Sequence, residues 1–198
     1  MKISRHYVTL GLLMLLISCA PLVYTSPDLG RIESQELSIS FDKSTDDIWP
    51  QLLDYLSRSS YGVDSVDTTN QSIQLHFRSL NFHRYLKGGY LDEGGFNGYE
   101  GDYLHFLVPT DDLKSQLDCD ITVDLKEQSS NTSIIQLQIN YSLKRFKNAK
   151  RTKLLDEWAF ISTQALAIES PTEGVSYYII PSFLLEQQLL NSFQLFSE

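Results

Sequence analysis

The sequence predicts an α+β fold: an antiparallel sheet carrying two helices on one face, with a further amphipathic helix at the C-terminus. Three observations carry this. Four segments alternate between apolar and polar residues, the pattern of strands with one dry and one wet face. Two longer segments, one before those strands and one after them, repeat their apolar residues at helical spacing. Helix stripes and a dry sheet face can then cover each other in two layers. A length of 198 residues suits one domain with appendages. A content of 42% hydrophobic and 12% aromatic residues excludes a disordered chain.

The chain opens with Lys2 and Arg5, then an apolar run from Tyr7 to Ile17 that ends at Ser18. This is the charged region and short apolar core of a secretory signal. The run is too short to cross a bilayer, which takes about 20 residues. Leu16-Ile17-Ser18-Cys19 resembles the lipobox of bacterial lipoproteins: an aliphatic residue, a permissive one, a small one, then cysteine. The resemblance implies cleavage after residue 18, a diacylglyceryl group on Cys19 and an acylated new amino terminus, with chains of the palmitate class. The alternative is an ordinary signal peptide whose cysteine is incidental.

Residues 19–35 hold two prolines, a glycine and no periodicity, and read as a tether. Residues 36–170 form the domain. In it Leu37, Ile39 and Phe41 alternate with serines as a short strand. Ile48, Trp49, Leu52, Leu53 and Leu56 mark a helix that ends by Ser59 or Ser60. Because Pro50 is tolerated only in the first turn, the expected cap is Asp46 or Asp47. Strands follow at 61–66 and 72–78, turning on residues 68–71, then at 102–108, 119–125 and 135–143. Leu154, Trp158, Ile161, Ala165 and Ile168 place a second helix over 148–168, ended by Pro171 and Gly174. Residues 171–198 are an extension with an extended piece, VSYYII, and a short helix through Leu185, Leu189, Phe193 and Phe196. That helix lacks Lys and Arg, so docking on its own domain, or else on a partner, is favoured over lying on a membrane.

Three stretches are candidates for function. Residues 79–101 contain six of the chain's 10 glycines together with Phe82, Tyr85, Tyr90, Phe96 and Tyr99. Their spacing is neither that of a dinucleotide fingerprint nor that of an EF-hand. The stretch reads as a partner- or ligand-contacting loop, or as an irregular hairpin extension. Lys144, Arg145, Lys147, Lys150, Arg151 and Lys153 fall within ten residues with no acid among them. At a helix start they would oppose the macrodipole. They suggest a site for an anion or an acidic partner, phosphorylated head groups included, unless they only offset the acidic remainder. His76 and His105 sit on expected strands and, with Asp102, can form a proton-transfer group. Exposed polar-face histidines are the commoner outcome.

Removing residues 1–18 leaves 14 cations against 25 anions, a net charge of −11, which excludes binding of nucleic acid or anionic lipid head groups by the whole surface and leaves that only to a local basic patch. Cys119 lies in an alternating apolar series and reads as a buried thiol. No metal-ligand pattern, nucleophile elbow or cofactor motif occurs, so no cofactor is expected.

Residues 38–77, ISFDKSTDDIWPQLLDYLSRSSYGVDSVDTTNQSIQLHF, resemble the helix-grip module of the accessory lipoprotein of the outer-membrane β-barrel assembly machinery. The resemblance implies a strand, a D-D-x-W helix and a following hairpin, and carries no catalytic residues. The expected function is therefore that of a non-enzymatic, lipid-anchored envelope protein, a binding or scaffolding module for another envelope protein. Two alternatives stand beside it: a binder of an apolar ligand held between helix and sheet, and a hydrolase using the strand histidines. Ala20 in place of an aspartate after Cys19 points to the outer membrane, periplasmic side.

Overall fold

The computed structural model describes residues 22–33, 35, 37–94, 98–108, 114–147, 150–169 and 176–197. Leu16–Cys19, Phe96, Pro171 and Gly174 lie outside the described residues. The mixed α+β class and the antiparallel pairing are as the sequence predicts.

The spine is a long hairpin. Strands β8 (Lys114–Ser129) and β9 (Thr132–Phe146) pair along their whole length and join through Ser130 and Asn131. Strand β4 (Ser72–Ser79) lies on the other side of β8, and β3 (Gly62–Asp67) forms the edge beyond it. The free side of β9 takes two partners end to end. Strand β2 (Ser38–Phe41) covers residues 133–136, and β10 (Leu154–Ile161) covers residues 140–146. Period-2 alternation puts Leu117, Cys119, Ile121 and Val123 of β8 on one face, all 1% exposed or less. Asp118, Asp120 and Thr122 occupy the other. On that wet face cross-strand pairs replace packing: Thr122 donates to Gln74 at 3.0 Å and Ser142 to Glu157 at 2.6 Å.

Helix α2 (Thr45–Arg58) lies on the dry face with Ile48, Leu52 and Leu56 buried. Its cap is Ser44, whose hydroxyl accepts the amide of Asp47 at 3.3 Å, two or three residues earlier than the expected Asp46 or Asp47. The favourable charge of Asp46 and Asp47 in the first turn makes this early start worthwhile, and Pro50 ends up inside the helix. A second helix on the same core is α4 (Leu184–Phe193), from the tail, which buries Leu185, Leu189 and Phe193. Between these helices and the sheet lie the buried side chains of the main core.

Two expected elements are corrected. Residues 148–168 contain no helix among those described; they form β10 and β11 (Leu166–Glu169). The apolar residues fit a period of 2 as well as one of 3.6, and the uncovered half of β9 supplies a partner that overrides helix propensity. Arg145 then faces Asp156, Leu143 faces Trp158 and Tyr141 faces Phe160. Residues 102–108 contain no full strand: only the end of β7 (Glu100–Asp102) is extended, and helix α3 (Tyr103–Leu107) follows. The Asp102 carboxylate accepts the amide of Leu104 at 2.8 Å and so caps it. Tyr103 and Leu104 are both buried, which consecutive strand residues on a one-sided sheet cannot be.

Candidate functional site

The expected tether is not free where the structure describes it. Strand β1 (Val23–Thr25) pairs with β6 (Tyr90–Asp92), and β6 pairs with β7, so the chain after residue 22 joins a small sheet made from the glycine-rich stretch. Tyr24 is the joint. Its hydroxyl donates to the Gly88 carbonyl at 3.0 Å and accepts the Tyr178 amide at 2.9 Å. Its ring meets Tyr177 edge-on at 4.9 Å, and Tyr177 stacks on Tyr103 at 4.3 Å. Tyr177 and Tyr178 belong to β12 (Ser176–Pro181), which pairs with β11 and with β5 (Leu86–Lys87). A short turn, α1 (Gly30–Glu33), adds a second stitch. Its Ile32 packs on Ile180 and Phe183, and the Arg31 guanidinium donates to the Ser182 carbonyl at 3.2 Å. Gly89 sits at φ +78°, and a Cβ there would lie 2.5 Å from the Thr25 carbonyl, so only glycine admits this approach of β1.

Beside the joint is a cleft of about 440 Å³ bordered by Thr25, Asp28, Arg31, His83, Lys87, Tyr90 and Asp102. His83 and His105 stack at 3.7 Å with their planes 11° apart. Burial of His83, followed by the neighbouring His105, holds its imidazole below the ordinary histidine value, while Asp102 acts in the opposite sense. His76 is elsewhere, 2.7 Å from Asp64 on the wet face. The expected group of His76, His105 and Asp102 is therefore not assembled; it is His83 that joins His105. Among the described residues no cluster of three or more His, Cys, Asp or Glu has the geometry to hold a metal ion.

The loop aromatics divide. Phe82 and Tyr85 are 5% and 7% exposed within the main core, so they are not available as surface contacts. Their signal as contacts was aromatic content alone, which a core satisfies equally well. Tyr90 is exposed, and its hydroxyl bonds to Glu100, which pushes it up to about 12. Tyr99 is half-buried and donates to the Asp102 carbonyl at 2.6 Å.

The six cations also divide, and they begin no helix. Lys144 and Arg145 end β9. Lys144 is 2.9 Å from Asp118, and Arg145 binds Asp156 at 2.7 Å and lies over the Trp158 ring. Burial alone would raise the Asp118 carboxyl, but hydrogen bonds from Arg78, Lys144 and Gln116 outweigh it and hold Asp118 below the usual range. Arg151 is half-buried in the left-handed region at φ +52°. Lys147, Lys150 and Lys153 are exposed in the connection between β9 and β10. Among the described residues no carboxylate is within ion-pair distance of these three.

Two groups had no sequence signal that singled them out. Tyr24 sits in an aperiodic stretch, and only the Val-Tyr-Thr composition hints at a strand. Glu186 is fully buried between leucines of α4 and accepts the Tyr141 hydroxyl at 2.8 Å.

No protein-family model, no curated protein and no solved structure matches this chain.

Proposed function

We propose that the chain is a lipid-anchored envelope protein that acts as a non-catalytic binding or assembly module at the outer membrane, on its periplasmic side. The observation that carries this reading is the Tyr24 joint. Val23–Thr25, a few residues beyond Cys19 in sequence, are built into the same surface as the glycine-rich stretch and the tail. An anchor on Cys19 would therefore hold that composite surface in a fixed attitude, which suits a platform for another envelope protein better than a freely diffusing catalyst.

The lipobox-like Leu16–Cys19 and the alanine that follows support the anchor and the compartment. A helix-grip reading of the fold is supported by α2 lying on the dry face between β2 and the β3–β4 hairpin, with α4 on the same core. The test has two parts. Mass spectrometry of the mature amino-terminal peptide should show three acyl chains on Cys19, and Cys19→Ser should move the protein out of the membrane fraction. A photo-crosslinker at Tyr90 should then capture a defined envelope protein. An unmodified Cys19 thiol on a cytosolic protein would sink the reading.

A further inference from the structure

Three features meet at one end of the domain. Leu22, where the described chain begins, packs in the cluster of Leu91, Tyr103 and Tyr177, and Leu107 packs in it too. The Arg145 guanidinium donates to the Leu107 carbonyl at 2.9 Å, which ties α3 to the end of β9. Two residues further on begins the basic connection, closed by the Lys147 amide donating to the Lys153 carbonyl at 3.0 Å. Phe106, in α3 next to Leu107, is 41% exposed, and Leu154 and Leu155, which follow Lys153 and begin opposite Phe146, are 45% and 40% exposed; Lys147, Lys150 and Lys153 are exposed as well.

We infer that this end rests on an anionic bilayer surface, with Phe106, Leu154 and Leu155 in the head-group layer and the three lysines over lipid phosphates. The inference rests on the reading of Cys19 as the lipid attachment. Only Ala20 and Pro21 separate Cys19 from Leu22, a reach of about 11 Å even when fully extended. A domain held so short has to present one end to the membrane, and the end that packs Leu22 is that end. Its chemistry is that of an interfacial surface, exposed apolar side chains interleaved with cations. An acidic protein partner would also suit the lysines, but it gives no reason for the anchor to arrive at the same place. Two carboxylates in and beside the β6–β7 ribbon are turned to local use. Asp92 accepts the Gly94 amide at 2.8 Å and Glu93 the Tyr99 amide at 3.0 Å.

The test uses the lipidated full-length protein in vesicles of phosphatidylcholine and phosphatidylglycerol whose acyl chains carry bromine. In Phe106→Trp, and in parallel Leu155→Trp, the added indole should be quenched beyond the native Trp49 and Trp158 signal. Combining either with Lys147→Glu, Lys150→Glu and Lys153→Glu, or omitting phosphatidylglycerol, should cut that extra quenching to less than about half. Circular dichroism confirms that each variant is folded. An indole that stays unquenched at both positions, while mass spectrometry shows the lipid on Cys19, overturns the inference and leaves the anchor reading intact. Crosslinking of this end to an acidic protein in place of lipid overturns it too. An unmodified Cys19 in the same preparation sinks the anchor reading itself.

Discussion

The Tyr178 amide donates to the Tyr24 hydroxyl at 2.9 Å across 154 positions of sequence, so one phenol fastens the start of the described chain to its closing segment. Removing the oxygen leaves a part-buried amide without its partner. Tyr24→Phe should destabilise the protein by about 1–2 kcal/mol. It should also speed proteolysis within residues 22–33, as the β1 pairing loosens. Urea unfolding and limited proteolysis, read together, check this; a variant as stable and as resistant as the parent would contradict it.

Glu186 should make the protein less stable in base. Burial raises its carboxyl above the ordinary range, opposed by a backbone hydrogen bond and by the Tyr141 hydroxyl. The folded state therefore prefers the protonated form. Its contribution is complete below about 4.3, the unfolded glutamate value, and is lost as pH rises through the higher folded value. Glu186→Gln stays neutral and can still accept from Tyr141, so it should melt above the parent at pH 8 and close to it at pH 4. Thermal unfolding at the two pH values decides.

His83 should act with the opposite sign. Its imidazole is held below the ordinary value, first by burial and then by His105. Neutral His83 thus favours the fold above about 6.5, and that contribution falls away as pH drops through the lower folded value. An NMR titration should find His83 protonating below the free-histidine range. His83→Gln should flatten the acid limb of the melting curve. A titration midpoint above 6.5 would refute this.

Within the core, Leu52→Ala removes a side chain with no exposed surface from the contact of α2 with the sheet. The expected loss is about 2–5 kcal/mol. Ser44→Ala, which deletes only the cap, should cost about 1 kcal/mol. Chemical denaturation of the two variants should keep that order.

Strands β4, β8 and β9 of the central sheet were legible because each is long, regular and dry on one side: Ile135, Leu137, Ile139, Tyr141 and Leu143 of β9 admit no other period. Residues 154–168 admit two. Trp158, Ile161 and Ala165 satisfy helical spacing, and only the empty edge of β9 selects the strand. Such a choice is made by a partner distant in the fold, which local pattern does not contain. The basic run was visible as charge. Its division into paired and unpaired members was not, because it depends on Asp118, 26 positions from Lys144, and on Asp156, 11 from Arg145. Tyr24 was hidden for the same reason: neither Gly88 nor Tyr178 is near it in the chain.

The Tyr24 fastening also sets a timetable. A ribosome delivers the chain amino end first, so Tyr24 is made long before Tyr178 exists to meet it, and Phe193 later still. Until then the dry face of the β8–β9 hairpin is uncovered by α4, and the nascent domain stays open. For a chain exported as proposed, threaded across a bilayer before it folds, such late closure from distant segments would be an asset.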